Sequence, residues 1–284
     1  MDSGRPPPDP AWCYEAVQGV SRTFALTVEA LEEPMASQIG LGYLLCRIAD
    51  TIEDAGHIPP DEQVSLLATY DAALDPETAT TMRDFRAAVD PWLLDPEESD
   101  DWDVVARSPT VWATFAAEPD DARRAIVPPV REMVDGMADF LSRHADTGGL
   151  RIDDYAELDE YCHYAAGTVG TLITNLLTRD GVSSDRAERL YDTAGSFARL
   201  LQLVNVAKDV HADFREENNV YLPATWLAAE GIDQEGVLAD RNRESAARVV
   251  ERTAGRARSF LVDAQSYLES MPLSNGNTLA AWSV

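Results

Sequence analysis

Two sets of polar side chains recur at helical spacing inside otherwise apolar stretches of this chain. Tyr43, Arg47, Asp50 and Asp54 step by four, three and four residues; Gln202, Asn205, Asp209 and Asp213 step by three, four and four. At about 100° per residue, each set forms one stripe along one helix face. A helix that is apolar on its remaining sides is normally buried, and a buried carboxylate needs a cation or hydrogen-bond donors. Asp50 and Asp54 stand about 40° apart around a helix and about 6 Å apart along it. Carboxylates at that separation share Mg2+ ions, which also bridge to substrate phosphates. Asp209 and Asp213 repeat the arrangement. The chemistry in view is metal-assisted handling of a phosphorylated substrate; the alternative is two ordinary acidic helix ends.

Spacing alone does not separate these readings. The chain has 29 aspartates, and chance placement gives about three Asp-x-x-x-Asp pairs. Four occur: Asp50/Asp54, Asp71/Asp75, Asp135/Asp139 and Asp209/Asp213. The signal is the apolar context of the first and last. Asp71 and Asp75 lie in a polar, Ala-rich stretch ending at Pro76 and read as a solvated helix end. Asp135 and Asp139, beside Gly136, Met137 and Phe140, fit either reading. Glu53 falls off the Asp50/Asp54 stripe and reads as supporting or solvated.

Other segments offer partners. In Ser21-Arg-Thr-Phe24, Arg22 joins Arg47 as a fork-shaped donor suited to diphosphate oxygens, although either arginine could be a salt-bridge partner in so acidic a chain. Tyr161 and Tyr164 share a face with Thr168, and Ala165, Ala166, Gly167 and Gly170 lie close by. Glycine inside a helix costs roughly 1 kcal/mol relative to alanine. Two of them point to close helix packing or to room for a bulky apolar ligand. His163 has no second ligand-type residue at metal spacing and reads as structural, and His211 lies off the aspartate face. Cys13, Cys46 and Cys162 have no metal spacing and read as core residues in a reducing compartment.

Helices must position these residues. Helical periodicity predicts elements over Trp12–Ala30, Ala36–Asp54, Asp61–Leu74, Glu77–Leu94, Val104–Ala117, Asp121–His144, Asp153–Thr178, Asp185–Phe214, Pro223–Glu230 and Gln234–Leu268. Asp153 and Asp185 are the expected N-caps at two of these starts. Gly56 to Pro60, the acidic stretch Asp95 to Asp103, Thr147-Gly-Gly149, Asp180 to Ser184 and Arg215 to Asn219 read as breaks. No strand alternation and no fixed repeat is present. The expectation is an all-α fold, a single domain over residues 11–284 after a flexible Met1 to Pro10.

The net charge of −27 excludes nucleic acid as a partner, because a phosphate backbone repels such a surface. A single lysine, Lys208, stands among 23 basic residues. An acidic, nearly lysine-free surface suits solubility in concentrated salt or a GC-rich coding bias. Lys208 beside Asp209 places a compact ammonium where a phosphate or carboxylate could meet it. No apolar run reaches 18 residues and the N-terminus has no apolar signal core, so the expected location is cytoplasmic.

Four segments in order give the chain a resemblance to the squalene/phytoene synthase family. They are Ser21-Arg-Thr-Phe24, Arg47-Ile-Ala-Asp-Thr-Ile-Glu-Asp54, Tyr161-Cys-His-Tyr-Ala-Ala-Gly-Thr-Val-Gly170, and Asn205-Val-Ala-Lys-Asp-Val-His-Ala-Asp213 followed by Val220-Tyr-Leu-Pro223. The resemblance spans roughly Trp12 to Leu268. It implies the isoprenoid synthase fold, a helical bundle around a central cavity. It also implies head-to-head (1′-1) condensation of two prenyl diphosphates, whose apolar product would bring the protein into peripheral contact with a membrane. Tyr-Cys-His-Tyr and Asp-Thr-Ile-Glu-Asp are more similar to the squalene synthases than to the phytoene synthases. The implied reaction is then two farnesyl diphosphates to presqualene diphosphate and on to squalene with NADPH.

By this resemblance Mg2+ is held by Asp50, Asp54, Asp209 and Asp213. Substrate contacts fall to Ser21, Arg22, Thr23, Phe24, Tyr43, Arg47, Tyr161 and Gln202. Arg22 and Arg47 assist departure of the diphosphate, Tyr164 assists proton removal, and Asn205 and Lys208 match positions associated with the nicotinamide cofactor. Three departures stand out. Lys208 replaces a usual Arg, Ala212 replaces a frequent acid, and Leu273-Ser-Asn-Gly-Asn-Thr follows Pro272 where relatives continue into apolar helix. The last predicts a weaker closing wall for the cavity. The rival expectations are a phytoene or dehydrosqualene synthase that uses no NADPH, and a non-catalytic homologue acting as subunit or scaffold.

Overall fold

The structure, a computed structural model, describes residues 6–95, 99–179 and 182–272; the side chains of Arg22, Thr23 and Thr27 lie outside that description. Fourteen α-helices form among the described residues. The first seven are α1 (Pro10–Val20), α2 (Arg22–Glu29), α3 (Met35–Glu53), α4 (Pro60–Leu74), α5 (Met82–Val89), α6 (Asp100–Ala106) and α7 (Ser108–Phe115). Then follow α8 (Asp120–Arg143), α9 (Tyr155–Cys162), α10 (Thr168–Thr178), α11 (Ser184–Ala212), α12 (Ala224–Ala229), α13 (Arg243–Ser259) and α14 (Leu261–Ser270). Two π-helical turns interrupt the series, His163–Gly167 between α9 and α10 and Asp213–Glu217 at the end of α11. The only extended pairing among the described residues is an isolated bridge between Arg151 and Val220. The all-α expectation holds.

α3 is central because it is apolar on nearly every side, as a fully packed helix must be. Leu44, Leu45, Ile48, Ala49 and Ile52 are wholly enclosed, and α3 packs against α1, α4, α6, α7, α8 and α10. Around it a large apolar cluster runs from Cys13 and Val17 to Leu172 and Leu176. A second cluster joins Phe140, Tyr161, Val206, Tyr221 and Trp226, and a smaller one sets Tyr267 of α14 against Leu190 and Ala194 of α11. All three cysteines are buried and free, as expected for core residues.

Several predicted boundaries are corrected. The Trp12–Ala30 helix is two, because Ser21 is extended (φ −157°, ψ 104°) and its hydroxyl accepts from the Phe24 amide at 3.2 Å. Residues 77–81 are not helical; Thr81 starts α5 through a reciprocal capping box with Asp84. The acidic stretch expected to be loop up to Asp103 starts α6 at Asp100, behind Ser99 as N-cap. Asp154, not Asp153, caps α9, and Ser183 stands at the N-cap of α11 in place of Asp185. The long helix expected over Gln234–Leu268 begins at Arg243 and breaks at Phe260. The expected flexible Met1 to Pro10 is tied down at its end, where the Asp9 amide donates to Thr114 at 2.9 Å and its carboxylate caps α1. The atypical stretch from Leu273 onward lies outside the described residues.

Candidate active site

Two helices build the site along their length. The middle of α3 and the middle of α11 wall an apolar cavity of about 300 Å³, together with α2, α10 and α14. Ile39 and Tyr43 come from α3, Leu201, Gln202 and Asn205 from α11, and Val169, Gly170, Ile173 and Leu177 from α10. The α10 set recurs every three or four residues, one apolar face turned to the cavity. Phe24 stacks on Tyr43 with ring centroids 4.1 Å apart at one end, and Tyr267, Leu268 and Met271 supply the α14 side. Arg186 fixes that side by donating to the Ser270 carbonyl at 2.6 Å and to that of Met271. Both readings of the small-residue segment are realised: Ala165 and Ala166 open space, and a side chain at Gly170 would press on Ala198 at 3.3 Å.

The acids follow one to three turns beyond, at the C-terminal ends of the same helices. Carboxylate oxygens of Asp50, Glu53 and Asp54 lie within 4.8 Å of one another. A helix C-terminus carries partial negative charge, so this is the end where carboxylates are least welcome. Burial pushes all three upward in pKa, Glu53 to about 8 and Asp54 well above its usual value; the Asp50 charge adds to both of these, while Arg47 partly offsets the rise of Asp50 itself. Glu53 is 4 % exposed, its carboxyl lies against that of Asp54, and neither of its oxygens meets a donor group. Three hard oxygen donors crowded together, one of them orphaned, fit a divalent cation.

Arg47 stands between the cavity and this cluster. Its Nε and Nη2 donate to the two oxygens of Asp101 at 2.7 and 3.0 Å, and its Nη1 donates to Asp50. Burial disfavours its charge, but the Asp101 hydrogen bonds and the two carboxylates outweigh that and raise its pKa. In this state the salt-bridge reading of Arg47 is the realised one.

On α11, burial pushes Asp213 to about 7, with Glu217 and Asp209 adding to it. Glu217, at the end of the π turn, is also raised by burial and by Asp50; Glu53 and Asp54 in turn feel its charge. Glu217 therefore links the two acidic ends. The side chain of Asp209 is 40 % exposed and pairs at 3.3 Å with that of Lys208, which is 66 % exposed. Asn205 is exposed at the cavity edge.

The two tyrosines part company. Tyr161 is buried, and its hydroxyl donates to that of Tyr221 at 3.0 Å. Burial raises its pKa, and the charges of Glu53 and Asp54 add to this, so it sits beside the acidic cluster. Tyr164 instead turns toward α8, where it lines a separate cavity with Arg131, Asp135 and Asp139 rather than the apolar one. A side chain on Gly136 would meet its ring at 2.1 Å, which is why α8 has glycine there. The structure thus brings together Tyr43, Arg47, Asp50, Asp54 and Tyr161 and, through the shared cavity, Phe24, Gln202 and Asn205. It leaves Tyr164 and the Lys208 ammonium aside. Ser21 caps α2, whereas the side chains of Arg22 and Thr23 are outside the description. Glu217, Asp101 and Tyr221 carried no expected role. Glu217 follows Asp213 by four residues, a continuation of the stripe that ending the helix at Phe214 concealed.

Comparison with known proteins identifies the family and the fold. The family model described as squalene/phytoene synthase matches residues 17–284. The squalene synthase of Eremothecium gossypii is 30 % identical over 223 residues, 75 % of this chain and 46 % of the relative. The chain spans less than half the length of the first curated relatives it matches. A solved complex of TcSQS with the ligand BPH1237 superposes with a TM-score of 0.79 at 24 % identity, over 95 % of this chain and 74 % of that one. A ligand-bound dehydrosqualene synthase has the same fold, with a TM-score of 0.64 at 19 % identity over 96 % and 82 % of the two chains.

Proposed function

Because the chain belongs to the squalene/phytoene synthase family, we propose that it joins two farnesyl diphosphates head to head into presqualene diphosphate and rearranges this to squalene, with Mg2+ and NADPH. The observation that carries the proposal is that α3 lines an apolar cavity with Tyr43 and ends two to three turns on in an acidic cluster, with Arg47 between them. A prenyl chain lies in the first and its diphosphate reaches the second.

Asp50, Glu53 and Asp54 would hold Mg2+ from α3, with Asp209 and Asp213 contributing from α11. The metal would neutralise the departing pyrophosphate, which takes the electron pair of the broken C1–O bond. The allylic cation left behind meets walls of Phe24, Val169, Ile173 and Leu177, which hold no nucleophile and keep water away. The double bond of the second substrate adds to the cation, and loss of a proton closes the cyclopropane. Tyr161, beside the carboxylates and hydrogen-bonded to Tyr221, would steer that proton toward the acidic end. Tyr164 faces α8 and serves this step less well.

A reading without reductant is the second one. Asn205 and Lys208 present one amide and one exposed ammonium, with no Gly-rich turn at a helix N-terminus among the described residues to cradle a pyrophosphate. They do not amount to a fitted dinucleotide site. Under this reading the product is dehydrosqualene, or phytoene from geranylgeranyl diphosphate. Incubating the protein with each diphosphate, with and without NADPH, and identifying the hydrocarbon decides among them. Release of no pyrophosphate from either substrate would instead leave a helical scaffold.

A further inference from the structure

A second cavity, of about 310 Å³, opens on the acidic cluster from another side and shares no lining residue with the apolar one. Its walls bring Glu53 and Asp54 of α3 together with Glu217 of the π turn, beside His57 and the Gly148–Gly149 loop. This wall is firmly built. The Val220 amide donates to the Leu150 carbonyl at 2.9 Å, and the Leu150 amide to the Asn219 side chain at 2.8 Å. A side chain at Gly149 would collide with the Asn218 carbonyl at 2.2 Å, so only glycine lets the two segments approach. Asn219 Nδ2 then donates to Glu217 Oε2 at 3.3 Å and holds that carboxylate toward the cavity.

We infer that Glu217 is a ligand to a divalent cation that it shares with Glu53 and Asp54 in this cavity, which it reaches by a turn of its side chain because its oxygens lie outside the group of acids within 4.8 Å of one another. The inference rests on the metal-dependent reading above and adds to it a residue outside both aspartate pairs. Two independent observations carry it. Glu53 is almost wholly buried with neither oxygen meeting a donor group, which is stable only with a cation or a proton between it and its neighbours. Glu217, from a separate element, faces the same space, so the site has oxygen donors on two sides and solvent on a third. Mg2+ and Mn2+ take oxygen ligands and keep several waters, which suits a partly open cavity of this size. Glu217 also offers what Ala212 withholds, an acid at the end of α11.

Mn2+ binding to the full chain, read by the loss of the free-ion EPR signal, tests this without turnover. Loss of a ligand should cost at least what loss of a ligand's hydrogen-bond partner costs, about 10- to 100-fold in affinity. Glu217→Gln should therefore weaken at least one Mn2+ site by that factor, while the exposed neighbour Glu216→Gln binds like the parent. Should Glu217→Gln fail to fold, Glu217→Asp gives the same readout. Parent-like Mn2+ binding by the folded Glu217 variant, with binding weakened in Asp54→Asn, would overturn the role of Glu217 and leave the metal-dependent reading standing. No Mn2+ binding by the parent protein would overturn both.

Discussion

Arg47 is gripped by Asp101, 54 residues away in sequence, through two parallel hydrogen bonds of 2.7 and 3.0 Å. The pairing presents a preformed guanidinium at the boundary between the apolar cavity and the acids, at a fixed orientation. Asp101→Asn should keep the fold and weaken that hold. The expected result is a rise in KM for the prenyl diphosphate of about 10-fold, with a smaller change in kcat. Arg47→Lys should not restore activity, because an ammonium cannot reproduce the fork. Unchanged steady-state constants in Asp101→Asn would remove Asp101 from the site.

Metal dependence is the plainest expectation. Two diphosphates and several carboxylates repel one another unless divalent cations intervene. EDTA should abolish turnover and Mg2+ restore it. Asp50→Asn and Asp209→Asn should each lower kcat by about 100-fold or more while circular dichroism stays native. Full activity in either variant excludes that aspartate from the metal site.

Stability should depend on pH in a direction set by the raised carboxyls. Glu53 at about 8 and Asp213 at about 7 hold protons in the folded state that the unfolded chain has already released. Their contribution is fully present below the ordinary carboxylate range and is lost as pH rises through the folded values. The melting temperature without divalent ions should fall between pH 6 and pH 8.5, and Mg2+ should recover more at the higher pH. A melting temperature that rises over that interval in EDTA contradicts the assignment.

The two tyrosines give a matched comparison. Tyr161→Phe removes a buried hydroxyl beside the acids and should lower kcat by about 100-fold, within the span of general acid–base effects. Tyr164→Phe, against Gly136, should stay within about threefold of the parent, a proton-transfer contribution being absent. The reverse order would return the proton-handling role to Tyr164.

Lys208 pairs with Asp209 near the surface, and an exposed pair contributes at most about 1 kcal/mol. If the ammonium serves the reductive half of the reaction, Lys208→Ala should accumulate presqualene diphosphate at limiting NADPH, and Lys208→Arg should not. An unchanged ratio of intermediate to squalene assigns Lys208 to surface charge alone.

Periodicity reveals those residues whose helices stay regular. The stripes through Tyr43, Arg47 and Asp50 and through Gln202 and Asn205 are visible because apolar neighbours surround them on α3 and α11. Three things are hidden. Asp101 reaches Arg47 only through tertiary packing of α6 on α3, for which no local pattern exists. Glu53 lies off the stripe that the spacing picks out, yet the tight end of α3 brings its oxygens beside those of Asp50 and Asp54. Tyr161 and Tyr164 share a helical face on paper, but the π turn that begins at His163 separates their directions. The split at Ser21 escaped because its apolar neighbours continue the period across the break.

The π turns at His163–Gly167 and Asp213–Glu217 act as phase shifts in the two motif-bearing segments. Each behaves as a helix with one residue more than regular winding would use. Excising a single residue from the first would let α9 and α10 fuse into one regular helix with everything downstream still facing as it does, whereas adding one would rotate it all by about 100°. Val169, Ile173 and Leu177 would then leave the cavity wall together. An added residue in the second would turn Glu217 away from Asp54. One-residue insertions in these two short turns should therefore be far more damaging than one-residue deletions, which regular winding absorbs.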